Sequence, residues 1–163
     1  MRRFSFPSLV AAALVTTPVT AHAANTTAAA SVQVVKPVIL SKLQDLDFGT
    51  LSFAGFTGPR SIVLSRAGTV TCAADIVCSG ATKAARFNVQ GSNKVVVNIS
   101  VSTGTLSNGT DSITFTPDYP STVTLTSSGI PGVDFEVGGT ISVTSALVGG
   151  LYTGTINVTA DNP

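Results

Sequence analysis

The sequence predicts an all-β protein, a β-sandwich of mostly antiparallel strands. Apolar residues alternate with Thr, Ser and Asn in several short segments, the pattern of strands that have one buried and one solvated face. Gly, Pro and Asn turn signals separate these segments at short intervals, and no window of helical length holds a sustained apolar stripe. Only 10% of the 163 residues are charged and 44% are hydrophobic, which excludes a disordered, charge-rich chain.

The first residues resemble a bacterial general-export signal. Arg2 and Arg3 supply a positive start, Leu9 to Val15 a short apolar stretch, and Ala21-His22-Ala23 a small-x-small cleavage site. We therefore expect residues 1–23 to be a cleavable signal peptide, and the mature chain to be exported to the periplasm or the cell surface. No apolar run approaches the roughly 20 residues that span a bilayer, so no transmembrane anchor is predicted.

The mature chain is expected to hold a flexible N-terminal arm at residues 24–30 and a single β-sandwich domain at residues 31–163, because its length suits one domain. The full chain has 9 basic and 8 acidic residues. Arg2 and Arg3 lie in the signal, which leaves the mature chain with a net charge near −1. Because no cluster of basic residues follows the signal, a nucleic-acid partner is not expected.

The alternation is clearest at Val95–Val101, Thr122–Thr126 and Ile141–Thr144. Shorter apolar runs between turn signals such as Asn108-Gly109 and Gly149-Gly150 predict further strands. These are Val32–Leu40, Leu46–Phe53, Ser61–Leu64, Thr69–Thr71, Ala85–Gln90, Ser112–Phe115, Val133–Glu136 and Leu151–Thr159.

Two of these strands contain an irregularity. Lys36-Pro37 interrupts the first one, where proline lacks the N–H donor of a ladder and is tolerated mainly at edges or bulges. Within Leu46–Phe53 the apolar residues change from one face to the other at Gly49. This change predicts a β-bulge at Gly49.

Cys72 and Cys78 are the two cysteines of the chain. An even number of cysteines in an exported protein predicts a structural disulfide, which here closes a short loop. A redox-active pair normally has C-x-x-C spacing and a neighbour that stabilises the thiolate, whereas this longer loop contains the acid Asp75. A zinc site would need further soft ligands, and no histidine follows His22.

No catalytic residue, cofactor-binding residue or metal site is predicted, and no cofactor is expected. Without histidine, the mature chain cannot form a Ser-His-Asp or Cys-His arrangement, and it has no glycine-rich nucleotide loop. Asp45 with Asp47, and Asp134 with Glu136, would each share one face of a strand. Such pairs could act as paired acids or bind Ca²⁺, but a solvated face near a strand end is the favoured interpretation. We therefore expect a protein that is not an enzyme.

The last predicted strand suggests an interaction surface, because Gly154 leaves a notch between larger neighbours on its apolar face. Two interpretations stay open. Either a close strand crossing inside the domain fills the notch, or the notch belongs to a groove that accepts a strand from another subunit. The N-terminal arm offers such a strand, because its residues from Ala28 to Val34 alternate between an apolar and a more polar face.

The mature chain resembles the bacterial family called domain of unknown function 4402. The resemblance rests on Val35–Lys42 (VKPVILSK), Asp45–Thr50 (DLDFGT), Phe87–Gly91 (FNVQG), Val137–Ile141 (VGGTI) and Gly150–Thr155 (GLYTGT). It implies an exported, immunoglobulin-like, pilin-like β-domain, similar to fimbrial and spore-coat-U subunits, with no established enzyme activity. Gly150 also matches a glycine near the end of chaperone-usher pilins, although Asn162-Pro163 replaces their terminal aromatic residue.

Two functions are compatible with these observations. The first is a non-enzymatic exported structural subunit, fimbria-like or part of a surface coat, that assembles by β-strand exchange with identical or different protein subunits. A periplasmic chaperone is a further candidate partner. The second is a soluble periplasmic or secreted module that binds a glycan or a protein through loops Gly55–Arg60, Cys72–Lys83 and Ser102–Asp111. The candidate strand-exchange residues are Ala30, Val32, Val34, Gly150, Tyr152, Gly154, Ile156 and Val158.

Overall fold

A computed structural model describes residues 22–162. The predicted signal peptide therefore lies outside the described residues, apart from residues 22 and 23, and so does Pro163. The chain divides into two units, of which the first ends at Gln33 and the second begins at Val34. Residues 22–33 hold no strand, and all strands of the described chain belong to the second unit. Within residues 22–162 the structure has no helix with the length and apolar character that a bilayer crossing requires.

The described residues form an all-β structure of twelve strands, which confirms the predicted fold class. The ladders between these strands are antiparallel. The strands are β1 Ile39–Gln44, β2 Thr50–Phe53, β3 Arg60–Leu64, β4 Val70–Thr71, β5 Ile76–Ser79, β6 Ala85–Gln90, β7 Val96–Val101, β8 Gly104–Ser107, β9 Ser112–Asp118, β10 Thr122–Thr124, β11 Val133–Val143 and β12 Val158–Asp161.

The first predicted strand is wrong over Val32–Val38, because β1 begins only at Ile39. Pro37 has no N–H to donate to a ladder, and the amide of Lys36 donates instead to Ser92 Oγ at 2.6 Å. The strand predicted at the end of the chain is also shorter than expected. Only β12 remains of it, and the residues before β12 make a single isolated bridge.

β11 is the central strand of the largest sheet. Its first half, Val133–Val137, pairs with β6, and its second half pairs with β3 on one side and β9 on the other. β1 lies beyond β6, β4 beyond β3, and β8 beyond β9, which completes a seven-stranded sheet. Two small sheets, β10-β7-β12 and β2-β5, form the second layer. The two strands predicted at Val133–Glu136 and Ile141–Thr144 are therefore one continuous strand that reaches both ends of the sandwich.

The hydrophobic core consists of two clusters along β11. In the first cluster, Phe135 and Val137 pack against side chains of β6, β7 and β10. In the second, Ile141 and Val143 pack against side chains of β3, β5 and β9. The sheet β10-β7-β12 thus covers the first half of β11, and β2-β5 covers the second half. We call the end of the sandwich at the start of β11 the first pole and the end where β11 finishes the second pole.

Gly49 lies where the chain changes its pairing partner. Asp47 bridges Lys83, and from Thr50 onward the chain pairs with β5. The φ angle of Gly49 is 73°, a left-handed conformation that glycine adopts readily. The predicted β-bulge at Gly49 is therefore wrong: the change of apolar face in Leu46–Phe53 marks a break between two pairings.

Candidate interaction groove

A groove of about 710 Å³, lined by both polar and apolar residues, opens in the half of the sandwich near the second pole. One wall is residues 46–53, which end in β2, and the other is residues 147–154, which we call the 147–154 segment. The floor consists of side chains from β8, β9 and β11. Those of β9 and β11 belong to the second core cluster, and that of β8 packs against it. Ile113, Ile141 and Val143 are already buried, with exposed fractions of 5%, 2% and 1%. The floor residues are Leu106, Ile113, Ile141 and Val143.

The 147–154 segment pairs with β8 on one side. Thr153 exchanges two backbone hydrogen bonds with Ser107, at 3.0 and 2.8 Å. Consecutive residues of an extended chain direct their backbone groups to opposite sides, so those of Tyr152 and Gly154 point away from β8 and toward the groove. Within residues 22–162, the amide and carbonyl groups of these two residues have no hydrogen-bond partner. This edge is therefore open to pairing with another strand.

Gly154 also allows the backbone of the 147–154 segment to lie close to the backbone of β8. A side-chain carbon at residue 154 would collide with the carbonyl oxygen of Thr105 in β8. The notch that the sequence contains is thus filled by backbone of the same chain, while the groove-facing edge of the segment stays unpaired. Glycine is required here because the two backbones lie in direct contact.

Two polar contacts attach the 147–154 segment to the β8–β9 hairpin, and a third closes a bond within the segment. The amide of Val148 donates to Asp111 Oδ2 at 2.8 Å, and its carbonyl accepts the Tyr152 hydroxyl at 2.7 Å and the Asn108 side-chain amide at 3.4 Å. Desolvation of the hydroxyl and the nearby carboxylate of Asp111 raise the pKa of Tyr152. The hydroxyl is therefore protonated at neutral pH and remains a donor. This wall is held in place without any backbone pairing on its groove side.

The opposite wall depends on β5. In the described chain β2 pairs with β5 and with no other strand, so its second edge has no ladder partner. β5 contains Cys78, which forms the predicted disulfide with Cys72, the two Cα atoms lying 6.3 Å apart. Cys78 lies directly opposite Leu51 in the ladder. The disulfide thus restrains the one strand to which the β2 wall is hydrogen-bonded.

The two walls run in opposite directions. Leu46 and Ile156 each contact both core clusters, so both lie near the middle of the sandwich. Beyond the other ends of the walls, Ser145 donates its hydroxyl to the carbonyl of Phe56 at 2.9 Å. The groove therefore extends from the middle of the sandwich to the second pole, and a strand added between the walls would be parallel to one and antiparallel to the other.

Three of the predicted strand-exchange residues lie together in this groove: Gly150, Tyr152 and Gly154. Ile156 and Val158 do not line it. Val158 lies in β12 and packs against the first core cluster, and Ile156 lies between the two clusters. The alternation predicts one common face for Tyr152, Ile156 and Val158. Along this stretch, however, Tyr152 packs against the second core cluster, Ile156 against both clusters and Val158 against the first.

The other predicted residues belong to the N-terminal part of the chain. Ala30 and Val32 lie among residues 22–33, and Val34 is the first residue of the second unit. Val32 and Val34 are 86% and 83% exposed. The wall formed by residues 46–53 is not evident from the sequence. Its alternation indicates a strand, but alternation does not reveal that one edge of the strand will lack a partner.

The acidic pair Asp134 and Glu136 belongs to a cross-strand ion-pair cluster. Asp134 accepts hydrogen bonds from Asn88 and Arg86, both at 2.6 Å, and Arg86 Nε lies 3.9 Å from Glu136. The bond from Asn88, together with the bond and positive charge of Arg86, lowers the pKa of Asp134 from its ordinary value. These carboxylates are therefore engaged with neighbours on the solvated face of β6 and β11.

The second acidic pair is also engaged locally. Asp45 pairs with Lys42 at 2.7 Å, and Asp47 accepts the amide of Gly49 at 2.8 Å. Among the residues that the structure describes, no group of three or more His, Cys, Asp or Glu side chains could hold a metal ion.

Two of the three predicted recognition loops contain strands. β5 lies within Cys72–Lys83, and β8 lies within Ser102–Asp111. In the third, Arg60 pairs with Asp75 at 2.7 Å and stacks over the ring of Phe56 at 5.2 Å from its centroid. Of these segments, Cys72–Lys83 contains the strand that pairs with β2, and Ser102–Asp111 contains the strand that bridges Thr153.

Comparison with known sequences and structures places the chain in a family. No curated protein and no solved structure matches it. A family model described as "Domain of unknown function (DUF4402)" matches residues 38–161. The match begins one residue before β1 and ends with the last residue of β12, so it includes the whole sandwich and both walls of the groove. The chain therefore belongs to the DUF4402 family.

Proposed function

We propose that this protein is a non-enzymatic, exported structural subunit that assembles by β-strand exchange, in which the groove of one subunit receives the N-terminal arm of another. The observation that carries the proposal is the pair of unpaired edges beside an apolar floor. Tyr152 and Gly154 offer backbone hydrogen bonds from one wall, and β2 offers its second edge from the other. An added strand would place alternate side chains on the second core cluster.

The arm has the composition that such a groove requires. From Ala28 to Val34 one face is Ala, Ala, Val and Val, while the intervening residues are Ala, Ser and Gln. No charged side chain would have to enter the groove. Burying the exposed side chains of Val32 and Val34 would contribute about 4 kcal/mol, in addition to the backbone hydrogen bonds. The Cys72–Cys78 disulfide is compatible with export to an oxidising compartment.

The alternation of the arm allows a matched test. Two variants of the full mature chain each receive two aspartates: Val32→Asp with Val34→Asp on the apolar face, and Ser31→Asp with Gln33→Asp on the other face. The added charge is the same, but only the first pair would bury its charges in the groove. Multi-angle light scattering after size-exclusion chromatography measures the assemblies.

Wild type and the Ser31/Gln33 variant are expected to form the same assemblies, whereas the Val32/Val34 variant is expected to remain monomeric. A cooperative thermal unfolding transition in each of the three proteins would establish that all are folded. Assembly of the Val32/Val34 variant at the wild-type level, or a wild type that is monomeric at every concentration, would contradict the proposed function.

A further inference from the structure

We propose that a recess on the surface of the sandwich binds a uronate unit of an acidic polysaccharide. The recess has a volume of about 980 Å³ and is separate from the groove, because no residue lines both. The inference goes beyond the proposed strand exchange and does not depend on it. It follows from the basic side chains that line the recess, from the partners that two of them lack, and from the uncharged groups around them.

Basic side chains gather in this recess although the mature chain is slightly acidic overall. Residues 22–162 contain seven lysines and arginines, and three of them line the recess: Arg66, Lys83 and Arg86. Asp134 and Glu136 line it as well. Three cations and two anions leave the recess with one net positive charge. A ligand that carries one carboxylate per unit would balance this charge.

The two acids of the recess are engaged with Arg86. Its Nη2 atom donates to Asp134 at 2.6 Å, and its Nε atom lies 3.9 Å from Glu136. Asp134 also accepts a hydrogen bond from Asn88 at 2.6 Å. The charge of Arg86 is therefore compensated within the recess, and the charges of the other two cations are not.

Lys83 and Arg66 are the cations that a ligand can reach. Within residues 22–162 the ammonium group of Lys83 has no hydrogen bond or ion pair, while its backbone exchanges two hydrogen bonds with Asp47, at 2.8 and 2.9 Å. Arg66 Nε lies 3.4 Å from Asp118, with the two side chains 49% and 57% exposed. Such a long, exposed ion pair contributes little, so Arg66 can exchange it for a ligand carboxylate.

A side-chain bond connects the two segments that carry these cations. The hydroxyl of Thr82, the residue before Lys83, donates to the carbonyl of Gly68 at 2.6 Å. Gly68 belongs to the turn between β3 and β4, which also carries Arg66. The backbones that present the two charges are therefore joined before a ligand binds, which reduces the entropy cost of binding.

The uncharged part of the lining suits a sugar ring. Thr122 and Thr124 are exposed, and within residues 22–162 their hydroxyl groups have no hydrogen-bond partner. Ala67 and Pro120 add small apolar surfaces. Free hydroxyl groups can bond the hydroxyls of a sugar, and apolar surfaces can contact the C–H groups of its ring. A uronate combines both features with one carboxylate, which arginine and lysine bind well.

The recess fits a unit of a polysaccharide chain, because most of its lining residues are exposed and the neighbouring units can leave it into solvent. Isothermal titration calorimetry of the full mature chain tests this ligand class. The probes are oligogalacturonate, the same oligosaccharide with its carboxyl groups reduced to alcohols, and oligoglutamate of equal length. Oligogalacturonate is expected to bind saturably and more weakly as salt is added. The reduced oligosaccharide should bind at least about tenfold more weakly.

Charge variants test the site. Lys83→Gln is expected to weaken oligogalacturonate binding about fivefold, because it removes one of the two uncompensated charges. Lys94→Gln is the matched control, since Lys94 is exposed, has no side-chain partner within residues 22–162 and lies outside the recess. It should leave the affinity unchanged. Glu136→Gln should strengthen binding about threefold by removing a repelling charge, a gain that loss of folding would not produce.

A cooperative thermal unfolding transition in each variant establishes that it is folded, and light scattering should give the same assemblies for Lys83→Gln as for wild type. Absence of binding, equal affinity for the reduced oligosaccharide, or equal effects of Lys83→Gln and Lys94→Gln would overturn the inference. Oligoglutamate that binds as tightly as oligogalacturonate would also overturn it and would assign the recess to an acidic peptide. None of these outcomes changes the assembly that the proposed function predicts.

Discussion

The ring of Phe115 occupies the space that a side chain at residue 139 would need. Gly139 lies within β11, with β3 on one side and β9 on the other. Because glycine has no side chain, the ring packs directly against the backbone of Gly139. Phe115 is fully buried, and its ring meets that of Phe48 edge to face with centroids 6.2 Å apart. This contact fixes the packing of the second core cluster beneath the groove floor.

Gly139→Ala is therefore expected to destabilise the protein by about 3 kcal/mol, because the added methyl group collides with the buried ring and the central strand cannot move away from both neighbours. Urea unfolding followed by circular dichroism measures the effect. Gly55→Ala is the matched control, since a methyl group at residue 55 meets nothing within 4 Å. Equal unfolding midpoints for the two variants would contradict this account of the packing.

Removing the disulfide is expected to lower the free energy of unfolding by about 2 kcal/mol, the value that loop entropy gives for a loop of this length. The variant Cys72→Ala/Cys78→Ala should have a lower urea midpoint than the oxidised wild type. Reductant should lower the midpoint of wild type and leave the variant unchanged, which provides the control. The prediction is wrong if oxidised wild type and the variant unfold at the same urea concentration.

Tyr152→Phe is expected to loosen the 147–154 segment, because the Val148 carbonyl loses the hydroxyl that donates to it. The variant keeps the ring but makes one hydrogen bond fewer within the segment. Amide hydrogen exchange should be faster in the 147–154 segment and unchanged in β6. Tyr119→Phe, a tyrosine that packs against the first core cluster, is the control. Unaltered exchange in the segment would show that the hydroxyl does not hold this wall.

Asp134→Asn is expected to destabilise the protein at neutral pH and to have progressively less effect in acid. The folded-state pKa of Asp134 is lowered, so the stabilisation from its charged form is complete above the unfolded pKa of about 3.9 and is lost as pH falls through the folded value. Urea unfolding at pH 7 and near pH 2 measures the gap between wild type and variant. Asp161→Asn, on β12 and outside this cluster, should produce no comparable gap. A gap of the same size at both pH values would contradict the assignment.

The sequence predicts strands well where one face is buried over several residues. The alternation in Ala85–Gln90 gives β6 with its observed bounds, because Phe87 and Val89 face the core and Arg86 and Asn88 face solvent. β5 and β8 were not predicted. Each has only four residues, and their Cys, Gly and Ser content resembles that of a loop.

Pairing is harder to predict than strand position, because alternation reports which residues face one way and not which strand lies beside them. Leu46–Phe53 illustrates this limit: the break at Gly49 is visible in the sequence, whereas the change from Lys83 to β5 as partner is not. Val32–Val38 illustrates the converse. Its alternation meets the requirements of a strand, but the described structure contains no ladder for it.

Because β11 runs through both core clusters, neither half of the sandwich can come apart without disturbing the other. A pulling force applied between the two poles would act along the length of this strand. The hydrogen bonds with β6, β3 and β9 lie across that direction, so they would have to break together in shear instead of opening one after another. The fold is therefore mechanically suited to withstand tension along its long axis.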